Sequence, residues 1–265
     1  MKSLDFNIGA WIGTLLQMTA WVGIVWVLVV AFQYKKDIAI DGVEVVIHNP
    51  ENRVHLIEVS NFTDFIKSSL EDSIHTYTLS ELPLKELFKK LNTHPYIKSA
   101  KVFVNNKGIL KIECQPRYPV ARVVPARGDS YYVDKYGQIM PLPMEYRPKL
   151  PVVRGRVPQV NTNDETDLID LANIGEFFTL VGKSAFLEVL VDQLVVTALK
   201  EYKIIPVMGT EKVELGQWES MQEKLWDLED FYTEVIAQVG WGKYEKISLK
   251  YEGQVVATRK TTATP

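Results

Sequence analysis

A long uncharged run near the start of the chain constrains the fold most strongly. Residues 10–32, AWIGTLLQMTAWVGIVWVLVVAF, contain no Asp, Glu, Lys or Arg. As a helix this run is about 34 Å long, enough to cross a hydrocarbon core of about 30 Å. Trp11 near one end, and Tyr34, Lys35 and Lys36 beyond the other, are typical of residues at a membrane interface. The pattern predicts an uncleaved transmembrane helix over residues 10–32, preceded by a short N-terminus of residues 1–9.

Two other interpretations of this run fit less well. A cleaved signal peptide normally has a shorter apolar region, and no small-x-small cleavage site follows Phe32. A buried core helix is disfavoured because the run is so long, uncharged and close to the N-terminus. Lys2 before the run and Lys35 and Lys36 after it leave the membrane orientation open, because long domains translocate largely regardless of such counts.

The composition of the chain narrows the class of protein. The 265 residues are 46% hydrophobic and 24% charged with a formal net charge of −3, which is ordinary for a folded protein. No lysine or arginine stripe with interleaved aromatic residues is present, so nucleic acid is not expected as a partner. The single cysteine, Cys114, excludes an internal disulfide.

The predicted fold class is α+β, with two domains after the transmembrane helix. The first, residues 38–117, has the order β-α-α-β-β, in which the opening β element is a hairpin. Strands are predicted over residues 43–49 and 54–59, and a helix near Phe62. A second helix is capped by Ser80 and buries Leu84, Leu87, Phe88 and Leu91. A hairpin of residues 97–104 and 109–115 follows, joined by a turn of Asn and Gly.

The second domain, residues 118–260, is predicted to be a mixed β-sheet with two packed helices. Short apolar runs separated by Gly and Pro predict strands, including one run over residues 186–199. One helix follows the polar residues 161–167, with Leu168 on its apolar face. The second runs over residues 217–239, with Val235 on its apolar face and Gly240 as its C-cap. Two closing strands, residues 243–251 and 254–260, turn Tyr251 to the same side as Ile247. Residues 261–265 are expected to form a flexible tail.

The sequence carries no catalytic or metal-binding signature that rises above chance. G-x-S-x-G, H-E-x-x-H, G-x-G-x-x-G and G-x-x-x-x-G-K-[ST] are all missing. The four histidines, none of which has a partner at the i+4 spacing of a helical metal site, are His48, His55, His75 and His94. No cofactor, metal or small-molecule substrate is therefore expected.

Cys114 and an aspartate pair are the chemically most suggestive residues. Cys114 alternates with Leu110 and Ile112, which predicts that its side chain points into a core, whereas a catalytic thiol needs a positive and partly exposed site. Asp129 and Asp134 flank one predicted strand and resemble an acid pair. Asp134 is equally well explained as a residue of the turn that follows this strand. An envelope hydrolase or thiol enzyme using Cys114 or Asp129 and Asp134 is the alternative function.

Three stretches of the chain resemble the FtsQ/DivIB family of bacterial cell-division proteins, most closely the version found in Bacteroidetes. HPYIKSAKVFVNNKGILKIECQPRYPVARV is similar to the end of a POTRA domain. YYVDKYGQIMPLP followed by LPVVRG resembles the opening of the family's β-domain, and GWGKYEKISLKYEGQVVATRK resembles its closing hairpin. The start of the POTRA-like domain departs from the family, because it lacks the usual glycine-centred strand.

The resemblance implies a single-pass protein of the bacterial inner membrane, with a cytoplasmic N-terminus and periplasmic domains at the division septum. Its implied role is non-catalytic: it recruits and regulates proteins of septal cell-wall synthesis. The implied partners are the membrane, an FtsB/FtsL-like pair and other division proteins such as the septal synthase. A POTRA-bearing export chaperone is a weaker alternative, since only one such unit is present.

Two sets of residues are predicted to carry this role. The resemblance implies that a partner adds a strand to the sheet near the C-terminus, and the β-prone last strand is predicted to be an edge whose Val256 N–H faces a partner. The predicted edge residues are Lys250, Tyr251, Gln254, Val255, Val256, Ala257, Thr258 and Arg259. The predicted interdomain hinge consists of Pro116, Arg117, Tyr118 and Pro119.

Overall fold

The computed structural model describes residues 8–36, 39–48, 77–143, 148–160, 164–209 and 211–260, and within the first helix it describes the side chains of residues 16–30. Several predicted features lie outside these residues: the strand over residues 54–59, the helix near Phe62, His55, His75 and the tail 261–265.

The described residues form six α-helices and twelve strands. The helices are α1 (Ile8–Lys36), α2 (Leu84–Thr93), α3 (Glu165–Val181), α4 (Ala185–Leu190), α5 (Met221–Asp230) and α6 (Ala237–Val239). The first six strands are β1 (Gly42–Ile47), β2 (Ile97–Val104), β3 (Ile109–Pro116), β4 (Pro119–Pro125), β5 (Tyr131–Asp134) and β6 (Ile139–Pro141). The others are β7 (Val152–Gly155), β8 (Val191–Val196), β9 (Tyr202–Pro206), β10 (Lys212–Gly216), β11 (Tyr244–Tyr251) and β12 (Gln254–Arg259).

The N-terminal helix α1 contains the whole uncharged run. Its described side chains are exposed, and Trp21, Trp26 and Val27 each expose more than half of their surface. Within the part of the chain that the structure describes, no helix combines the length and hydropathy of a membrane span. The transmembrane helix over residues 10–32 therefore stays a prediction.

The chain divides into two compact units, and the first holds a small three-stranded sheet. Its strand order is β1-β3-β2, with β1 parallel to β3 from Gly42 opposite Ile109 to Ile47 opposite Cys114. At the turn between β2 and β3, the Asn105 side chain accepts hydrogen bonds from the N–H groups of Lys107 and Ile109. The predicted hairpin of residues 97–104 and 109–115 is thus confirmed. The first predicted strand, residues 43–49, corresponds to β1 and pairs directly with β3, the second strand of this hairpin.

The helix of the first unit begins later than the sequence predicts. Ser80 lies in a turn where the Thr78 hydroxyl donates to the Glu81 carboxylate, and α2 begins only after Pro83. The predicted Ser80 cap is therefore wrong, because the Glu81 carboxylate accepts the hydrogen bonds of this turn and the helix starts after it. Leu87 and Leu91 are buried as predicted, but Phe88 is 51% exposed. The buried side of this short helix consists of Leu87 and Leu91 alone.

The second unit is a nine-stranded mixed sheet with the order β12-β11-β10-β9-β8-β7-β4-β5-β6. Helices α3, α4 and α5 cover one face of this sheet, and the core beneath them includes Val123, Val153, Leu194, Ile204 and Ile247. Each of these side chains alternates along its strand with a residue on the opposite face. The predicted mixed sheet with two long packed helices is confirmed, and α4 is an additional short helix.

Part of one predicted strand is this extra helix. Residues 186–190 belong to α4, and β8 starts only at Val191. The Ser184 side chain accepts a hydrogen bond from the Leu187 N–H at 3.2 Å, which caps the helix and stabilises a turn that the β-prone sequence alone does not favour.

Three predicted apolar positions also differ from the structure. Leu168 is 53% exposed, since it precedes the part of α3 that reaches the sheet. Ile236 rather than Val235 is buried, because α5 continues as a π-helical turn, Phe231–Ile236, which rotates the following residues. Tyr251 is 63% exposed because register shifts in β11 change the alternation before it.

A candidate strand-accepting edge

The last strand, β12, lies at one end of the nine-stranded sheet. It pairs antiparallel with β11, with Ile247 opposite Ala257 and Ser248 opposite Val256, and Gly253 closes the hairpin at a φ of +64°. Among the described residues, no strand pairs with its outer side. Six of the eight predicted edge residues form this strand, while Lys250 and Tyr251 end β11.

The direction of each backbone group in β12 follows from the pairing. Lys260 N–H donates to the Lys243 carbonyl at 3.0 Å, so it points toward β11. Both register shifts of this pair place the extra residue on β11, so the alternation along β12 is continuous. The N–H groups of Thr258, Val256 and Gln254 therefore also point toward β11. The N–H and C=O groups that point outward are those of Val255, Ala257 and Arg259.

This register corrects one prediction made from the sequence. Val256 N–H faces β11, so a proline there would disrupt the hairpin instead of the outer side of the strand. The outward donor nearest the middle of the strand belongs to Ala257. The sequence pattern identified the strand, but only the pairing with β11 distinguishes its two sides.

The side chains of β12 hold the strand in place while its outer side remains open. Val255 and Ala257 are half-buried and pack against the core. Val256, 44% exposed, lies on the opposite face, as does Thr258. A strand anchored by two side chains on one face retains its shape before a partner arrives, which lowers the ordering cost of strand addition.

A charged cluster next to the edge reinforces strands β9 to β11. The Glu214 carboxylate lies 2.9 Å from Lys203 Nζ and 3.6 Å from the Nζ atoms of Lys246 and Lys250. The hydrogen bond from Lys203, followed by the nearby lysine charges, lowers the pKa of Glu214. Sequence reasoning missed Glu214, although its position between Val213 and Leu215 is the alternation typical of a residue on the face of the sheet opposite the helices.

The structure argues against the thiol-enzyme alternative. Cys114 is fully buried on β3 beside Leu110 and Ile112, as the alternation predicts. Burial raises the pKa of its thiol to about 11, so the reactive thiolate is scarce at neutral pH. Cys114 is therefore a core residue.

The aspartate pair is not assembled either. Asp129 is exposed in the loop before β5, whereas Asp134 ends that strand and is buried. Asp134 accepts hydrogen bonds from the N–H groups of Tyr136 and Gln138, and Arg117 donates to it at 2.8 Å. Asp134 thus closes a turn, and its carboxylate is fully engaged by these partners.

The predicted hinge residues connect the two sheets. Pro116 ends β3 and Pro119 begins β4, with Arg117 and Tyr118 between them. Their role as a hinge stays a prediction.

The described histidines fit structural roles. His48 Nε2 lies 3.8 Å from Glu113, and His94 Nδ1 accepts a hydrogen bond from Tyr96 N–H. Burial lowers the pKa of His94. No group of three or more potential metal ligands occurs within the described ranges.

The described chain is thus an α+β protein whose large sheet ends in an anchored strand with unpaired outer groups. Its sequence matches the family model described as FtsQ/DivIB, C-terminal related, over residues 118–258. The chain is also 29% identical to the cell division protein FtsQ of Salinibacter ruber (strain DSM 13855 / M31) over 174 residues, which cover 62% of this chain and 64% of that relative. The chain therefore spans less than two thirds of the relative's length. Because the family model covers more than half of the sequence, the chain belongs to the FtsQ/DivIB C-terminal related family.

Proposed function

We propose that this chain is a non-catalytic cell-division protein that recruits and regulates septal cell-wall synthesis proteins, and that it captures a partner by strand addition to β12. Family membership and the name of the Salinibacter ruber relative support the cell-division role. The observation that carries the binding mode is the outward direction of the backbone groups of Val255, Ala257 and Arg259 at the end of the sheet. Such groups provide hydrogen bonds to an added strand.

The protein is held in the bacterial inner membrane by α1 in this proposal. The helix has 29 residues and is therefore about 44 Å long, and its described apolar side chains are exposed. A row of exposed tryptophan and valine side chains is costly in water and favourable in lipid. Residues 1–9 are cytoplasmic, and the remaining domains lie in the periplasm at the division septum.

The partner that adds the strand is an FtsB/FtsL-like pair, as the family resemblance implies. The first unit is a POTRA-like domain, and the β-α-β-β order of its described elements supports that assignment. Residues 116–119 form the hinge between the domains.

Capture of the partner tests this proposal. Ala257→Pro removes an outward N–H from an edge position where proline is tolerated, so the unfolding temperature is expected to change little. Affinity-tagged full chain, solubilised in detergent from the source bacterium, is expected to recover division proteins, and Ala257→Pro to recover at least about tenfold less. Ala257→Thr keeps the N–H and is the matched control.

Two outcomes contradict the proposal. Equal recovery by wild type and Ala257→Pro would exclude strand addition at β12. Recovery of no division protein by the wild-type chain would overturn the cell-division role itself. Val256→Pro is expected to lower the unfolding temperature, because it removes a donor to β11.

A further inference from the structure

The face of the nine-stranded sheet opposite the helices presents two ordered rows of side chains. The pairing register aligns one row across seven strands: Val124, Arg154, Val195, Lys203, Glu214, Ser248 and Val256. The neighbouring row contains Arg122, Val152, Gln193, Ile205, Lys212, Lys246 and Thr258. Several of these side chains are exposed, including Arg154, Lys212 and Ile205 at 46%. We call this surface the open face.

The open face is basic although the chain carries a net charge of −3. Of the carboxylates in these rows and beside them, Glu214 and Glu201 are engaged by lysines, and Asp192 accepts a hydrogen bond from the Gln193 side chain. Lys203, Lys246 and Lys250 share the carboxylates of Glu214 and Glu201. Lys212 adds a positive charge near the edge, and further excess charge lies at the other end of the open face.

Arg122 on β4 and Arg154 on β7 carry that excess charge. Neither guanidinium forms an ion pair with a described residue, and Arg122 Nε is buried without a hydrogen-bond partner. Arg154 is exposed and Arg122 is half-buried, so both side chains contribute positive charge to this surface. Because Arg122 lies opposite Val152, two residues from Arg154, their Cα atoms are about 8 Å apart by strand spacing and rise.

The surroundings of the two arginines define the kind of ligand. A planar guanidinium matches a carboxylate with two parallel hydrogen bonds. Val124, Val152 and Val195 are half-buried around them and offer apolar contact as well as charge. Arginine beside partly exposed aliphatic groups is typical of protein interfaces, whereas a polyanion is held chiefly by cations on the surface.

We propose that the Arg122–Arg154 end of the open face binds an acidic segment of a partner protein that also carries apolar side chains. Two carboxylates at i and i+2 of an extended segment, about 7 Å apart, match the spacing of the arginines. Six strand spacings, about 29 Å, separate β4 from β12. This contact is therefore distinct from strand addition at the edge and does not depend on it.

Site-specific photocrosslinking in cells tests the surface. The full chain carries p-benzoylphenylalanine at Val152, and the mass of each adduct and the sequence of its crosslinked peptide are determined. An adduct to a segment with at least two carboxylates within five residues is expected. The yield is expected to fall at least about tenfold in Arg154→Glu, and further with Arg122→Glu added, while Ala257→Pro leaves it unchanged.

Matched variants keep the result interpretable. Arg127→Glu with Lys149→Glu makes the same charge change at exposed positions away from the open face and is expected to retain the adduct. Arg154→Glu alone changes an exposed side chain, so it keeps the test valid if Arg122→Glu impairs folding. The proposal is overturned if no adduct forms, or if the adduct survives Arg154→Glu. It is equally overturned if the adduct joins two copies of this chain, or if a muramidase releases it. Loss of the adduct in Ala257→Pro would show that the contact belongs to the edge and would equally overturn it.

Discussion

At the scale of single residues, the ion pair between Arg117 and Asp134 joins two charged side chains that are both largely buried. Arg117 follows β3 directly, and its guanidinium donates to a carboxylate that also closes the turn after β5. The Arg117 side chain exposes 18% of its surface and the Asp134 side chain 4%. Because water has little access to either charge, each is stabilised mainly by the other. The pair ties the start of the second unit to its sheet.

Removing the arginine is expected to destabilise the second unit. Arg117→Ala leaves the buried Asp134 with only its two backbone donors, and the free energy of unfolding is expected to fall by about 3 kcal/mol. Chemical denaturation followed by tryptophan fluorescence measures the change. Arg127→Ala removes an exposed arginine from the nearby loop and is expected to change the free energy by less than about 0.5 kcal/mol. A loss below 1 kcal/mol in Arg117→Ala would mean that the ion pair is not needed.

The burial of Cys114 predicts slow alkylation and a specific dependence on pH. With its pKa raised to about 11, the thiol should react with iodoacetamide at pH 8 at least about 100-fold more slowly in the native protein than in guanidinium. Because the pKa of the thiol is higher in the folded protein than in the unfolded chain, the protonated thiol favours the folded state. This contribution to stability is complete below the unfolded pKa of about 8.5 and is lost as the pH rises toward 11. Cys114→Val should remove that part of the alkaline destabilisation. Native and denatured protein labelling at equal rates would contradict the buried assignment.

At the scale of elements, helix α3 packs onto the sheet through two glycines. A Cβ atom on Gly175 would lie 2.6 Å from the Asp134 carbonyl oxygen, and one on Gly137 would lie 2.6 Å from the Ala172 nitrogen. The helix and the turn after β5 thus approach with backbone against backbone. Gly137 also has a φ of +77°, which other residues rarely adopt.

A methyl group at Gly175 is expected to separate these elements. Gly175→Ala should lower the free energy of unfolding by about 2 kcal/mol, because the neighbouring atoms are backbone and move only if the helix moves. Gly182→Ala, at the end of the same helix, has an ordinary φ of −67° and a nearest neighbour at 3.3 Å. It should change the stability by less than about 1 kcal/mol. Equal effects of the two substitutions in thermal unfolding would contradict the close packing.

The sequence predicts most elements of the second unit but not their boundaries. Alternation identifies β10, β11 and β12, and Gly240 marks the end of the long helix, where its φ is +87°. The residues of α4 appear strand-like because Phe186, Leu187 and Val189 are β-prone, and the cap at Ser184 decides the outcome. The rotation that buries Ile236 arises from a π-helical turn, which depends on tertiary packing and leaves no periodic signal.

The candidate site was also predictable only in part, because its geometry depends on tertiary packing. Terminal position and β-propensity identify β12, and the family resemblance gives it a role. Which amides point outward depends on the register with β11, and Arg122 and Arg154 lie side by side only because β4 and β7 pair in parallel. Pairings between distant parts of a chain are not encoded in local pattern.

At the scale of the whole molecule, the proposals assign separate tasks to separate surfaces. The helices cover one face of the nine-stranded sheet. In these proposals the edge strand β12 accepts a partner's strand, the open face binds an acidic segment, and helix α1 holds the chain in the membrane. The proposed role of the chain is thus to contribute binding surfaces, while its proposed partners perform the chemistry of wall synthesis.

Amide hydrogen exchange along β12 tests the central claim most directly. The full chain in detergent is compared alone and with the partner recovered in the pull-down. Binding is expected to protect the amides of Val255, Ala257 and Arg259 by at least about tenfold, because they gain hydrogen bonds. The amides of Val256 and Thr258, already bonded to β11, should change little. A partner that binds without protecting Ala257, or that protects all five residues equally, would contradict strand addition at this edge.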